Sequence, residues 1–430
     1  MNASVIRAVR FDIKSEAYTE LCWVEAAQIF RDMVNEMLEY GLKNRVHNAT
    51  SLEKQFYYTF KTRYRMATHY CTSASRFAAG LIKSHLIKLE KWKENGTTTE
   101  KPHPPKQEKL TLRLQTELAH IHWAEGNPEL HITTKPRKST TLELQIYPYA
   151  QSFLEAWRAG KLKMGEITIT QSGVFVPFKQ SLTPVRPAGV MFFDTNLNSL
   201  DFVVAKESGV VEGFSLDISL IQKIRERYLE KMARIQEIRN PQTRKKLLEK
   251  YRKRERRRVN HLLHIVSRIV AGISERHGGL YAVFGDLTEI RSQINRRYSS
   301  KELRRNLNKW PFRRLQRLCE FKLLQNPPKK ERCWTGCLTA YTSEAYTSAT
   351  CAVCKERTKR PRGQMFKCPH CGYCGDRHVV AALNMALKPV PMWLELAGQK
   401  AALCPRVTRI RVSPKTSPEE VLGRVFGARQ

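Results

Sequence analysis

Two hydrophobic periods divide the chain. Residues Ser4 to Ile13 (SVIRAVRFDI) alternate between apolar and polar, as a half-buried strand does. Val24, Ala27, Phe30, Val34, Met37 and Leu38 then recur every three or four residues and mark one apolar face of a helix. From Ser51 to Trp92 the helical spacing persists, but the sequence turns basic and aromatic: Tyr57, Tyr58, Phe60, Tyr64 and Tyr70 are interleaved with Lys61, Arg63 and Arg65. Rings beside cations suit base stacking next to phosphate contacts, and the same rings suit a packed helix face. Glu94–Lys106 is polar, contains proline and lacks periodicity, so it reads as a linker. Short strands are predicted at Thr140–Tyr147, Glu166–Gln171 and Gly173–Phe178, the last two forming a hairpin about a Ser-Gly turn. With the first strand they make a small β-barrel or sheet module into which the helical region is inserted.

At Gly189 the pattern changes to strand, tight turn, strand, turn, strand, and an apolar run ends in Asp194 before Asn196 and Asn198 turn the chain. A carboxylate at the tip of a buried first strand is where ribonuclease-H-like folds place their first metal ligand. Ile218–Ile238 is a helix with Ile221, Ile224, Tyr228, Met232, Ile235 and Ile238 on one seam, broken at Asn240-Pro241. Arg244–Arg258 holds ten basic and two acidic residues. A solvated helix face mixes signs, so this run suits a phosphate backbone. A helix over Asn260–Ile273, a strand over Gly279–Leu287 and a second basic helical region containing Trp310 and Phe312 follow. Pro327-Pro328 leads to a cysteine-rich stretch. Beyond Leu387 the sequence is Pro-rich, basic and weakly patterned, which predicts a loosely ordered tail.

Charge narrows the partners. Lys and Arg number 75 against 40 Asp and Glu in 430 residues, a net charge of +35. An excess of that size calls for a polyanion, nucleic acid before an anionic membrane, because no apolar run has the length of a transmembrane span. The first residues lack the basic and apolar regions of a signal peptide, and the 11 cysteines are scattered, so a cytoplasmic, nucleoid-associated protein with free thiols is expected. Cys351, Cys354, Cys368 and Cys371 stand apart as two C-x-x-C pairs 13 residues from one another. Four thiolates in that spacing suit structural Zn²⁺. Cys22, Cys71, Cys319, Cys333, Cys337, Cys374 and Cys404 read as small buried hydrophobes or spare thiols.

The order of these parts resembles the TnpB family, compact RNA-guided nucleases of insertion sequences, also called OrfB-type transposases and related to type V CRISPR effectors. EAYTSATCAVC with FKCPHCGY, NKWPFRRLQRLCEFK and HLLHIVSRIV carry the resemblance, which runs from about Gly189 to Leu387 and more weakly through the N-terminal half. It implies a multidomain α/β protein. A wedge-like β-barrel (1–14 and 129–185) is interrupted by a helical recognition domain (15–128). An RNase H-like RuvC domain with a basic helical hairpin (186–330) contains an inserted zinc-ribbon module (331–375), and a C-terminal RuvC helix (376–388) precedes the tail (389–430). The implied partners are a guide RNA and double-stranded target DNA, held by backbone contacts in a basic channel, with no small-molecule substrate and no membrane. Arg252, Lys253, Arg254, Arg256, Arg257 and Arg258 are candidates for phosphate contacts. Tyr57, Arg63 and Tyr64 are candidates for recognising the motif that flanks the target.

The chain departs from the family at the nuclease site, where three carboxylates hold two metal ions. Asp194 matches the first. In the second motif VFGDL puts Gly285 at the position of the Glu, and in the third His378 replaces the Asp. Mg²⁺ needs hard oxygen ligands, which neither glycine nor imidazole supplies. Asp286 and Asp376 are the possible substitutes, but Asp286 follows Gly285 on a strand and points to the other face. Asp376 lies about 200° from His378 on a helix. A cleavage-deficient, RNA-guided DNA-binding protein that occupies its target and represses transcription is therefore expected, with Mg²⁺ required only if cleavage survives. An active nuclease with an Asp194, Asp286, Asp376 triad, a guide-independent transposition-associated DNA-binding protein and a decaying insertion-sequence gene are the other readings.

Overall fold

A computed structural model describes residues 3–16, 22–94, 100–123, 126–182, 187–206, 209–287, 300–325, 339–344, 346–359, 363–386 and 407–427. Pro327-Pro328, Cys333, Cys337, Cys404 and the tail up to residue 406 lie outside the described residues. Contacts divide the chain into two compact units, Ser4–Ser181 and Leu182–Gln430.

The first unit begins with strand β1 (Ala3–Glu16) and three helices, α1 (Trp23–Lys43), α2 (Ala49–Tyr64) and α3 (His69–Glu94). Ala27, Phe30, Val34, Met37 and Leu38 are buried along α1, as the spacing predicts. Gly41 closes that face because a Cβ there would stand 2.6 Å from the Val46 carbonyl. The chain then forms β2 (Thr111–Leu114), β3 (Ala119–His122), β4 (Glu129–Lys135) and β5 (Lys138–Gln145). Helix α4 (Pro148–Arg158) and strands β6 (Lys163–Met164), β7 (Ile167–Thr170) and β8 (Gly173–Leu182) complete the unit. The eight strands make one sheet, ordered β2-β7-β8-β1-β5-β4-β3, with β6 on β8. The hairpin expected about the Ser-Gly turn is β7–β8, closed by the pair Thr170 and Gly173. Strands β2 and β3 lie in the sheet within the span expected to be helical, so the helical insertion is residues 23–94. Their short runs, TLRL and AHIH, hold too few residues for periodicity to declare them.

The second unit is built on a six-stranded sheet. Strands β9 (Gly189–Thr195), β10 (Ser199–Lys206) and β11 (Gly209–Asp217) form an antiparallel meander. Helices α5 (Ser219–Gln236) and α6 (Pro241–Arg276) carry the chain to β12 (Leu280–Gly285), which runs parallel to β9. Next come α7 (Lys301–Lys309), α8 (Phe312–Gln325) and β13 (Thr339–Thr342), parallel to β12. A small antiparallel hairpin, β14 (Met365–Lys367) and β15 (Cys374–Asp376), leads directly into α9 (Arg377–Ala386). Strand β16 (Val407–Arg411) and α10 (Pro418–Gly427) end the unit. The sheet order is β13-β12-β9-β10-β11-β16.

Alternation along buried strands sends side chains to two cores. Met191, Phe193, Phe202 and Phe284 face α6 and α8, whereas Val190, Phe192, Val203 and Val283 face α9 and the zinc-ribbon cysteines. Trp310 is fully buried on the first side and donates its indole N–H to the Leu197 carbonyl at 2.9 Å. Helix α6 is one continuous element of 36 residues. The Asn240 side chain caps it, accepting from Gln242 N and Thr243 N, and Pro241 occupies the first turn, where its missing N–H costs nothing.

The loosely ordered tail is corrected for residues 407–427. β16 pairs in parallel with β11, and α10 packs on α6, where Leu422 fills the space a side chain at Gly272 would take. VTRIR buries only Ile410 from its strand, and the helix is one short amphipathic turn set, so neither shows a sustained pattern in a basic, Pro-rich background. Among the described residues no helix is long and apolar enough to cross a membrane.

Candidate functional site

β9 brings Asp194 to the α9 side of the sheet. It shares parity with Val190 and Phe192, and Asp201 of β10 stands directly opposite it in the antiparallel register. β15 passes without a break into α9, so His378, in the first turn of that helix, reaches over the same point. Asp194, Asp201 and His378 thus offer ligand atoms all within 4.8 Å of one another. Asp194 Oδ2 accepts from His378 Nδ1 at 3.0 Å and from Asn196 Nδ2 at 2.8 Å. Asn196 Nδ2 also reaches Asp201 Oδ2 at 3.2 Å, and the Ser199 hydroxyl donates to the same oxygen.

These contacts set the charges. Burial pulls the His378 imidazole down, but the hydrogen bond and charge of Asp194, with the charge of Asp201, outweigh it and raise its pKa above 6.5. Burial drives the Asp201 carboxyl up, against the hydrogen bonds of Ser199 and Ser215. The arrangement is an imidazole whose pKa is raised, hydrogen-bonded to Asp194, beside a buried Asp201 whose pKa is also raised. Asp194 is engaged by His378 and Asn196 and the third donor is a nitrogen, so the set is a poor match for the oxygen shell Mg²⁺ requires.

The remaining expected positions fall elsewhere. Phe284 pairs with Phe193, so Gly285 lies beside Asp194 across parallel strands. The space a Cβ at Gly285 would take is held by the end of the Glu344 side chain, which is half-buried and lies just beyond β13. Asp286 is exposed, and its backbone N–H donates to the Thr342 carbonyl at 2.7 Å, continuing the pairing with β13. Asp376 Oδ1 accepts from the His378 backbone N–H at 3.0 Å at the start of α9, and its Oδ2 meets Arg409 Nη2 at 3.3 Å. Neither Asp286 nor Asp376 joins the Asp194 cluster.

Asp201 and Glu344 are the site residues sequence reasoning missed. Asp201 carries a signal, a carboxylate in the strand run LDFVVA at the same parity as Val203 and Ala205. Glu344 carries none, because its place over Gly285 arises from the pairing of two strands distant in sequence.

Beside this site, Cys351, Cys354, Cys368 and Cys371 gather with all sulfurs within 4.8 Å. Cys351–Cys371 and Cys354–Cys368 are each 3.6 Å apart. Four sulfurs at about 2.3 Å from a tetrahedral ion would be separated by about 3.8 Å, so the cage fits Zn²⁺. Burial raises the Cys351 thiol to about 12. At Cys368 burial is outweighed by the backbone N–H groups of Cys371 and His370 and by the neighbouring thiols, which bring it to about 6. Asn384 of α9 ties the helix to this module by donating to the Thr347 and Thr350 carbonyls at 2.8 and 2.7 Å.

Arg252, Lys253, Arg254, Arg256, Arg257 and Arg258 are all exposed along α6. Lys253 pairs with Glu249, and Arg254 and Arg258 lie over the rings of Tyr251 and Tyr228. The recognition candidates of the first unit are partly spent on packing. Arg63 Nη1 meets both Glu36 oxygens at 2.8 Å, and the Tyr64 hydroxyl donates to Glu36 at 2.7 Å. Burial, then Glu36, raises Tyr64 to about 12. Tyr57 is half-buried against the core, edge-on to Tyr58, which is 77% exposed.

Comparison with known proteins bears on the fold and the family. Residues 329–385 match the family model "Cas12f1-like, TNB domain", and residues 27–133 match the "Uncharacterized protein MJ0013 family". Among solved structures, a Cas12f1–sgRNA–target DNA complex aligns over 84% of this chain and 80% of that chain with a TM-score of 0.57 and 14% identity. A crRNA-bound CasPhi-2 (Cas12j) aligns over 91% and 99%, with a TM-score of 0.52 and 10% identity. These likenesses show a shared fold. TnpB-like protein MJ1635 of Methanocaldococcus jannaschii is 25% identical over 76% of this chain and 71% of its own length. TnpB-like protein MJ0751 of the same organism is 31% identical over 60% of this chain and 90% of its own length. With that identity over nearly the whole of a relative, the chain belongs to the TnpB-like protein family.

Proposed function

We propose that this chain is an RNA-guided DNA-binding protein whose RuvC-type site does not cleave. The observation that carries the reading is the His378–Asp194 pair: an imidazole with a raised pKa, at 3.0 Å, occupies the carboxylate that matches the family's first. Two-metal hydrolysis depends on carboxylates that hold both ions. Here Gly285 supplies none, His378 competes for Asp194, and Asp201 is 1% exposed with a pKa raised by burial. The excess of 35 positive charges and the exposed basic face of α6 support binding to nucleic acid by counterion release. A related structure holds guide RNA and target DNA, which makes those the proposed partners. In the cell the protein would sit on chromosomal DNA and block transcription at the paired site. In the zinc module, Zn²⁺ held by the four cysteines supplies structure and no chemistry.

The test combines three measurements on protein purified from cells. A discrete small RNA co-purifies, a DNA duplex complementary to its guide segment is shifted in a mobility assay, and the same duplex is not nicked with Mg²⁺ or Mn²⁺. Efficient cleavage abolished by Asp194→Ala would overturn the reading. A heterogeneous mixture of bound RNA would favour guide-independent binding.

A further inference from the structure

The chain has 12 histidines in 430 residues, and three of them share one face of a single hairpin in the first unit. In the β3–β4 register His120 stands opposite His131, and His122 opposite Glu129. The strands alternate, so Ile121, Leu130 and Ile132 are buried while His120, His122 and Glu129 are exposed and His131 half-exposed. On the next strand Thr141 lies opposite His131 and Glu143 opposite Glu129. The result is three imidazoles on a patch of sheet that also carries two carboxylates, in a protein whose surface is otherwise strongly basic.

The side chains are already arranged around His131. Its Nε2 is 3.2 Å from Glu129 Oε2, and its Nδ1 is 3.2 Å from Thr141 Oγ1. Donors at 2.0–2.1 Å from a tetrahedral ion are separated by about 3.3–3.4 Å, so Glu129 and His131 stand at chelating distance. In the tautomer with Nδ1–H donating to Thr141, an ion set between Nε2 and Glu129 meets the Nε2 lone pair, and the Thr141 bond holds the ring in place. The His120 ring lies 5.3 Å from that of His131 and nearly parallel to it, and the His122 ring 6.2 Å away and perpendicular. As placed, their nitrogens do not gather with Glu129 and His131 as the four cysteine sulfurs gather, so an ion would have to draw these two exposed side chains in by rotation.

We propose that His120, His122, His131 and Glu129 form a surface site for a divalent transition ion of the zinc, cobalt and nickel class, with Thr141 orienting His131. Imidazole with one carboxylate selects these ions over Mg²⁺ and Ca²⁺. The site is separate from the four-cysteine centre and independent of the proposal that the protein does not cleave. A bound ion cross-links β3 and β4 at two adjacent residue pairs and so fixes the register of an edge hairpin.

Full-length protein carrying one zinc in its cysteine centre is titrated with Co²⁺ and followed by calorimetry and visible absorption. The expected result is one further equivalent, bound without the sulfur-to-cobalt charge-transfer band that a cysteine site would give. His131→Asn and the double variant His120→Asn/His122→Asn lose that equivalent while retaining the zinc. Thr141→Val weakens it by about 10- to 100-fold, the usual effect of removing an outer-shell partner. His47→Asn, an exposed histidine in the connection between α1 and α2, leaves it unchanged. The proposal is overturned if wild-type protein takes up no second equivalent, or if the hairpin variants bind Co²⁺ as wild type does.

Discussion

Replacing His378 with Asp converts the internal ion pair into a potential metal site, and the structure sets the size of the effect. The His378 and Asp194 side chains are 18% and 12% exposed, so the pair is largely shielded from solvent and its loss is not screened as a surface pair would be. Breaking such a pair costs about 3–5 kcal/mol and leaves Asp194 beside a new carboxylate. For a unit of 150–250 residues each kcal/mol moves Tm by about 2–4 °C, so His378→Asp in EDTA should melt about 6–20 °C below wild type. Adding Mn²⁺ or Mg²⁺ should return part of that loss. An ion at 100 times its Kd stabilises by about 2.7 kcal/mol. Wild type should show no such gain, and His378→Asn should show the loss without the rescue. The assay is thermal unfolding of zinc-loaded protein across a divalent-ion series. Stabilisation of wild type by Mg²⁺ equal to that of His378→Asp would refute the idea that the imidazolium takes the place of the metal.

The pair also sets a pH dependence. Because the folded pKa of His378 is raised above 6.5, its contribution is complete below that value and is lost as pH climbs through the higher folded value. The Tm difference between wild type and His378→Asn should therefore be greatest in mild acid and narrow toward alkaline pH. A gap that widened with pH would show that the imidazole is held neutral instead.

Two further outcomes follow from the same face of the sheet. Gly285→Ala pushes the end of the Glu344 side chain aside and should cost about 0.5–1.5 kcal/mol; combining it with Glu344→Gly should relieve the overlap and give a double-mutant coupling of about 0.5–1.5 kcal/mol in chemical denaturation, and strict additivity would mean that the two positions do not touch. Removing zinc with a chelator, or Cys351→Ser, should release the β14–β15 hairpin, seen as faster hydrogen exchange at the His378 amide, which donates to Asp376, and at the Cys368 amide, which donates to the Tyr373 carbonyl.

The legible parts of the fold were those with a sustained period or a fixed ligand spacing. The α1 face, the β7–β8 hairpin, the Asp194 strand and the four cysteines all declare themselves through local sequence. Asn240-Pro241 was readable as a break after one helix, yet its capping side chain and N-terminal proline also start the next, which runs on through two stretches that looked separate. What local sequence does not carry is adjacency. Glu344 meets Gly285 only because β13 pairs with β12, and Arg63, still exposed, finds an ion-pair partner only because α1 presents Glu36 opposite it. The same limit hides β16, whose single buried Ile410 becomes meaningful when the edge of β11 is known to be open to it.

That adjacency also ties the four-cysteine module to the face of the sheet that carries Asp194. Cys351, Ala352, Phe366 and Cys368 belong to the same apolar cluster as Val190, Phe192 and Val203 of the sheet and Val379, Val380 and Leu383 of α9. The hairpin that the cysteines hold is continuous with α9, and Asn384 fastens the far end of that helix to the loop before Cys351. Taking the metal away would therefore loosen the packing of one whole face of the sheet. Exchanging Asp for His at position 378 instead replaces one group at the rim of that packing with another that finds a partner in Asp194. Position 378 and the four cysteines thus bear on different things: the proposed loss of cleavage rests on the first, and the packing of this face of the sheet rests on the second.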